Sequence, residues 1–476
     1  MNKVRVRFAP SPTGNIHVGN MHTTLFNWLF CRNVGGTFVL RLEDTDVVRS
    51  EKKYEDIIYE DIKWLGLNWD EGPDIGGPHK PYRQSERLEI YQIFAERLLL
   101  EGKCYRCYCS EEEIGLARAE AYAKGENPLY GGRCRDLSEE EERHFINEGR
   151  VPSLRFKVPE NKKIVIDDII RGPIEFDTRE IGDFIIVRSN NMPIYNFAVV
   201  VDDITMEITH IVRGDEHISN TPVQILIYQA LGAPLPKFAH ASIVLGEDRT
   251  KLSKRKHSEA FVGQFRELGY LPEALVNFLA LIGWAPSDGQ EVHDLSFLIS
   301  DFSLGNVAKS PAIFSMDKLK WLNSIYIKKA PVARITDLAL GHLDKAGLYW
   351  NDRAWLEKCV GVVVPYLSFV GEIAQHISIF FAVEMEEEAK TILLQNEATS
   401  VVRAFVELLE QHFGELTADE LKPLFKEAGI IAGVKGKGLF QPLRTAITGK
   451  CHGPELPLII DALGKEATLD RLKKIL

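Results

Sequence analysis

VRVRFAPSPTGNIHVGN, residues 4–20, begins as a strand and cannot continue as one. Val4, Val6 and Phe8 alternate as on a half-buried strand, with Arg5 and Arg7 between them. Pro10 and Pro12 then remove backbone donors that a ladder would need, so a turn must follow. From about residue 17 to 33, Leu25, Trp28 and Leu29 mark one helical face, and Gly35–Gly36 supplies the stop. Residues 37–42 (TFVLRL) read as a second strand and residues 54–65 as another amphipathic helix. Strand, crossover helix and strand together predict a parallel, doubly wound α/β sheet of the Rossmann type, whose ligands sit outside the carboxyl ends of the strands.

From about residue 86 to 191 the pattern changes to a helix, a Cys/Gly/Arg-rich stretch, an acidic helix and strands at 153–158 and 184–187, which reads as an inserted α+β domain. Strand-like sequence returns at residues 195–203 (YNFAVVVDD) and 240–246 (HASIVLG). Beyond about residue 330 only helical signals remain. Val402, Phe405, Val406 and Leu409 share a face, and Thr417 to Glu420 (TADE) is a capping box before Leu421, Leu424 and Phe425. There is no internal repeat and no low-complexity linker.

The chain has 476 residues, 45% hydrophobic and 26% charged, which predicts a folded protein of about three domains. Its longest apolar stretches, residues 277–285 and 360–371, fall short of the ~20 residues a membrane helix needs. The first residues lack an apolar leader core, so the cytoplasm is the expected location. A net charge of −11 argues against indiscriminate polyanion binding, although local basic patches can act where the average is acidic. The acid is partly segregated into residues 139–142 and 384–388, which read as solvated helix faces. Seven cysteines, four of them within residues 104–134, suggest a reducing compartment and a metal rather than disulfides.

Two short stretches could carry phosphate chemistry. In residues 10–20, backbone N–H groups at a helix start attract phosphate, and His17 could donate to a phosphoryl oxygen. Residues 251–255, KLSKR, could clamp the outer phosphates of a nucleotide. Alone, each has a plainer reading: a satisfied histidine, and a solvated basic loop. Together, HVGN after the first strand and KLSKR some 230 residues later resemble the paired ATP-binding signatures of class I aminoacyl-tRNA synthetases. RFAPSPTGNIHVG (7–19), RLEDTD (41–46), DEGPDIGGPHKPYRQSERLEIY (70–91), NFAVVVDD (196–203), KLSKR and GLFQPLRTAITG (438–449) extend the resemblance, in order, to bacterial glutamyl-tRNA synthetases. Asn20 stands where the general class signature ends in histidine.

The resemblance implies a two-step reaction. Glutamate attacks the α-phosphate of Mg-ATP, and the terminal adenosine of tRNA-Glu then displaces AMP. It assigns Pro10, Gly14, His17, Gly19, Asn20, Lys251, Ser253, Lys254 and Arg255 to ATP, with His17, Lys251 and Lys254 catalytic. It places Arg7, Ala9, Ser11, Glu43, Tyr195 and Arg213 around L-glutamate. Arg7 suits a carboxylate and Glu43 an ammonium. The plainer alternatives are that Arg7 alternates with Arg5 on a wet strand face and that Glu43 pairs with Arg41. Some relatives carry asparagine where Val199 stands, which would remove or alter one polar contact.

Some family members bind zinc through Cys-x-Cys and Cys-x-His. Here Cys107, Cys109, Cys134 and Asp136 occupy that pattern, with aspartate in place of histidine and Cys104 as a substitute ligand; reduced thiols are the alternative. The expected division is a catalytic domain at 1–86 and 196–246, an acceptor-end-binding insertion at 87–195, a stem-contact domain at 247–330 and helical anticodon-binding domains at 331–395 and 396–476. Lys318, Lys320, Lys328, Lys329, Lys435 and Lys437 are candidate tRNA phosphate contacts. A monomer is expected. The rivals are an enzyme that also glutamylates tRNA-Gln, a relative that glutamylates a tRNA base, and a non-catalytic RNA-binding protein.

Overall fold

Strand β1 (Arg5–Phe8) leads through helix α1 (Val18–Asn33) to β2 (Thr37–Leu40), which pairs with it in parallel, Arg7 opposite Val39. The computed structural model describes residues 3–46, 49–250, 252, 260–414 and 416–476. Lys251, Ser253, Lys254 and Arg255 of the expected cation loop lie outside the described residues. The chain divides into two compact units, one of residues 1–264 and 276–315, the other of residues 265–275 and 316–476.

In the first unit, α2 (Lys52–Trp64) follows β2, and α3 (Leu88–Leu100) leads into the insertion. There β3 (Cys104–Cys107), helices α4 (Glu111–Ala123) and α5 (Glu139–Asn147), and β4 (Ser153–Phe156) come in turn. A hairpin of β5 (Lys163–Asp168) and β6 (Gly172–Asp177) precedes β7 (Phe184–Val187), and β3, β4 and β7 form an antiparallel sheet. The acidic turns of α4 and α5 are capping boxes, Ser110 with Glu113 and Ser138 with Glu141, so those carboxylates satisfy helix N-termini.

Residues 195–203 overturn the strand expectation: Tyr195–Thr205 is helix α6. Its run from Phe197 to Asp203 is buried, and a helix buried all round shows the same unbroken apolar run as a buried strand. After α6 come β8 (His210–Gly214), α7 (Thr221–Ala230) and β9 (Lys237–Ala241), with β8 and β9 parallel and Arg213 opposite His240. β8 lies along β1, where Thr209 N donates to Arg5 O at 3.0 Å and Arg5 N to Thr209 Oγ1 at 2.8 Å. The parallel pairs β1-β2 and β8-β9 are thus brought side by side at Arg5 and Thr209. The expected strand at 240–246 is interrupted: β9 ends at Ala241 and a short strand, Val244–Leu245, pairs instead with Ala312–Ile313.

β1 is not half-buried. Val6, Arg7 and Phe8 are all buried, as in a parallel sheet covered on both faces. Arg5 is closed off by both oxygens of Glu71 at 2.8 and 2.9 Å, so the wet-face alternative for the two arginines does not hold.

The second unit holds no strand among its described residues. Val402, Phe405, Val406 and Leu409 are buried on one face of Asn396–Gln411, as their spacing predicts, and Thr417 and Glu420 form the expected capping box. No single helix among the described residues is long and apolar enough to cross a membrane.

Candidate active site

The carboxyl ends of β1 and β8 and the start of α1 enclose a cavity of about 550 Å³. Pro10, Gly14, His17, Gly19 and Asn20 line it, as do Arg7, Ala9, Ser11, Glu43, Tyr195 and Arg213. Both groups of described residues expected around nucleotide and amino acid thus meet in one space, at the edge of the sheet where α/β proteins bind ligands.

α1 presents its N-terminus to this cavity. His17 is the N-cap, extended at φ −83° and ψ 147°, and its Nδ1 accepts from Gly19 N at 3.3 Å. That bond assigns the ring proton to Nε2 and fixes the imidazole against the first turn. The helix dipole and the N–H groups of that turn favour an anion there.

The amino-acid side is built from buried charge. Arg7 Nε donates to Asp203 Oδ1 at 3.3 Å, and Arg41 Nη1 donates to the same oxygen at 2.6 Å. Burial alone would raise the Asp203 pKa, but Arg7 and Arg41 hold it below the ordinary carboxylate range. Arg41 Nη2 also reaches Glu43 at 3.2 Å, so the expected plainer partner of Glu43 is present while Glu43 still lines the cavity. Burial raises the Glu43 pKa against the pull of Arg41 and Arg7, which leaves this carboxylate short of positive charge. A ligand ammonium would supply it.

Arg213 is held on two corners, and its third is buried without a partner. Nε donates to His240 Nε2 at 3.2 Å and Nη2 to Thr221 Oγ1 at 2.9 Å, while the buried Nη1 has no hydrogen-bond partner. Burial lowers its pKa to about 10, with the charge on Arg7 adding to the effect against the pull of Tyr195 and Asp203. Tyr195 lines the cavity with its hydroxyl 3.4 Å from His217 Nδ1. Two guanidiniums and one carboxylate around a cavity suit a ligand carrying carboxylates and an ammonium.

Sequence reading did not find Asp203, Thr221, His240 or Asp168, although each fixes one of these side chains directly or through another. Asp203 stood within a segment read as a strand. Asp168 and His240 are 72 residues apart and carry no local pattern.

In the insertion, Cys107, Cys109 and Cys134 converge with their sulfurs within 4.8 Å of one another. Asp136 does not join them: its exposed carboxylate pairs with Lys157 Nζ at 3.1 Å. The Tyr130 hydroxyl lies 3.4 Å from both Cys107 Sγ and Cys109 Sγ and accepts from Cys134 N at 3.1 Å. Cys104 is packed in the hydrophobic core with Phe156 and Val158, and burial pushes its thiol pKa up. Cys107 Sγ donates to the Tyr130 hydroxyl, and contact with Cys134, Tyr130 and Arg155 holds the Cys107 thiol well below its ordinary pKa while raising that of Cys134. A thiol pre-disposed to ionise among two others is the donor set a zinc ion selects.

Comparison with known proteins bears on the whole chain. Residues 3–321 match the family model of tRNA synthetases class I (E and Q), catalytic domain, and residues 334–476 match an anticodon binding domain. A glutamate–tRNA ligase from Desulforamulus reducens is 50% identical, covering 99% of this chain and 99% of its own. Another from Bacillus subtilis is 47% identical, with both chains covered in full. A crystal structure of a glutamate tRNA ligase from Elizabethkingia meningosepticum, in complex with its amino acid, is 34% identical with a TM-score of 0.92 and covers 100% of this chain and 99% of its own.

Proposed function

The chain belongs to the class I tRNA synthetases of the E and Q type, and on that premise we propose that it is an ATP-dependent glutamate–tRNA ligase. The observation that carries the choice of amino acid is the single cavity that Arg7, Arg213 and Glu43 line together, with Arg213 Nη1 left without a hydrogen-bond partner. Glutamate has two carboxylates for the two guanidiniums and one ammonium for Glu43. Glutamine would set an amide NH₂ against a guanidinium N–H, with no acceptor between them.

The glutamate α-carboxylate attacks the α-phosphate of ATP, forming the acyl–phosphate bond as the bond to pyrophosphate breaks. Catalysis of such a transfer is mainly positioning and charge neutralisation. His17, with its proton on Nε2, and the first turn of α1 hold the phosphate side. The leaving pyrophosphate is assigned to Lys251, Ser253, Lys254 and Arg255. Magnesium comes with the nucleotide, bound through phosphates and water. In the second step the terminal adenosine of tRNA-Glu displaces AMP. The insertion would receive the acceptor end and the helical unit the anticodon, with the protein acting as a cytoplasmic monomer.

For the insertion we propose a structural zinc held by Cys107, Cys109 and Cys134, with the Tyr130 hydroxyl beside them as a fourth oxygen. Metal analysis separates the candidates: Asp136→Ala should keep one zinc per chain, whereas Cys107→Ser should lose it.

The functional test is charging of tRNA-Glu and tRNA-Gln transcripts with labelled glutamate and ATP. Arg213→Gln should raise the KM for glutamate by about 10- to 100-fold without raising that for ATP, because a charged hydrogen bond is worth about 1.5–3 kcal/mol. An unchanged KM for glutamate would sink the assignment.

A further inference from the structure

Behind Arg213 lies a fully buried pair that the reaction scheme leaves unused. His240 Nδ1 is 2.6 Å from Asp168 Oδ2, and both side chains are shut off from solvent. Asp168 ends β5 in the inserted hairpin, whereas His240 is on β9, the strand next to β8 and Arg213. The hairpin is strapped to the sheet at this point: Ile169 N donates to Phe238 O at 2.9 Å, and Arg171 Nη2 reaches Asp215 at 2.6 Å and Ser242 Oγ at 2.9 Å.

The hydrogen bonds dictate the state of the imidazole. Arg213 Nε can only donate, so His240 Nε2 must accept and the ring proton must sit on Nδ1, facing Asp168. Burial, together with the charge on Arg213, lowers the His240 pKa against the pull of Asp168, in keeping with a neutral ring. Asp168 is fixed in turn, because its Oδ1 accepts from Ile170 N at 3.0 Å and Arg171 N at 2.8 Å. Oδ2 takes the imidazole, and the His240 backbone N–H lies 3.2 Å from Oδ1 and 3.1 Å from Oδ2.

We propose that Asp168 and His240 are positioning residues for glutamate: Asp168 holds His240 as an acceptor toward Arg213, which fixes the Arg213 guanidinium at the cavity wall. The inference rests on the reading that Arg213 binds the amino acid. It also means that the insertion, through Asp168, supplies a supporting residue to the amino-acid site. An unsupported Arg213 could swing on its long stem and lose the substrate carboxylate, while the α1 end of the cavity would be unaffected.

Asp168→Asn is nearly isosteric and tests this directly. The amide oxygen must take the Oδ1 place to receive Ile170 N and Arg171 N, so the NH₂ faces His240. The ring then has to accept at Nδ1 and carry its proton on Nε2, against the Arg213 N–H, the same kind of tautomer conflict known from catalytic Asp–His pairs. The expected result is a rise in the KM for glutamate of about 10- to 100-fold, on the scale of a lost charged hydrogen bond, with the KM for ATP unchanged. Ring ¹⁵N spectra of histidine-labelled protein should show the His240 proton moving from Nδ1 to Nε2.

A second pair guards against a folding failure. His240→Gln can offer an amide oxygen where Nε2 stood and should keep a near-normal KM for glutamate. His240→Asn reaches only Asp168 and should raise it. Equal behaviour of these two variants, an unmoved tautomer in Asp168→Asn, or parallel losses for glutamate and ATP would overturn the proposal. If Arg213→Gln leaves glutamate binding intact while the tautomer moves, the reading of Arg213 has failed and the Asp168–His240 geometry has not.

Discussion

Around the ends of β1 and β2 the interior holds Arg7, Arg41, Arg87, Asp202 and Asp203, all buried and joined by ion pairs, whereas the interior of the helical unit is aliphatic and aromatic. Among its described residues the helical unit buries Asn323, Thr336, Thr445, Thr448 and Thr468 but no Asp, Glu, Lys or Arg. A buried ion pair is weak evidence for stability, since desolvation offsets much of the attraction, yet breaking one is costly. The charged interior therefore makes sense as a means of fixing where guanidiniums point. The apolar interior only has to hold helices in register, and its fit can be loosened gradually.

The contrast is broken most severely at Asp203. Asp203→Leu leaves Arg7 and Arg41 without their shared carboxylate and should destabilise the first unit by about 3–5 kcal/mol, with loss of adenylate formation. Thermal denaturation alongside ATP–pyrophosphate exchange measures both; a stable, active variant would mean the network is dispensable.

The first unit should also be acid-sensitive through His22, whose burial lowers its pKa to about 4 while Nε2 donates to Ile282 O at 2.6 Å. The unfolded chain takes up this proton below about pH 6.5 and the folded protein only near 4, so stability is complete above 6.5 and falls as the pH drops through that window. The loss reaches on the order of 3 kcal/mol. His22→Gln should flatten that part of the stability–pH curve; an unaltered acid limb would clear His22 of the effect.

In the helical unit, Ile377→Val should cost about 0.5–1.5 kcal/mol in denaturant unfolding and leave the KM for glutamate alone. Smallest of all, Arg353→Ala removes exposed pairs to Glu357 and Asp337, both at 2.8 Å, and should change stability by less than about 1 kcal/mol. A larger effect there would narrow the difference between the two interiors.

What was legible in the sequence was local. The strand–turn–helix at residues 4–33 follows from alternation, prolines and a glycine stop, and TADE announces a helix start wherever it occurs. The ATP-side residues Pro10, Gly14, His17, Gly19 and Asn20 lie within eleven positions, so they arrive in the cavity together. Partnerships across long separations leave no such trace. Arg7 meets Asp203 across 196 residues, and the helix that carries Asp203 is apolar enough on every side to resemble a strand. Asp136 fitted a spacing pattern, but spacing does not show that Lys157 draws its carboxylate outward or that Tyr130 folds back over the thiols.

The pairing of Arg5 with Thr209 spans 204 residues and has a consequence for how the chain is made. β1 leaves the ribosome early, but the strand that covers its second edge is not translated until the whole insertion has been. At about 5–20 residues per second that interval lasts roughly 10–40 s, during which the edge is open to wrong partners. The strands of the insertion's antiparallel sheet are all made within that time and can draw the ends of their segment together before β8 emerges, while the core they share with Phe197 and Phe238 closes later. Slowing synthesis within residues 104–187 should then leave the yield of soluble protein unharmed, whereas disrupting the insertion's sheet should send newly made chains into aggregates.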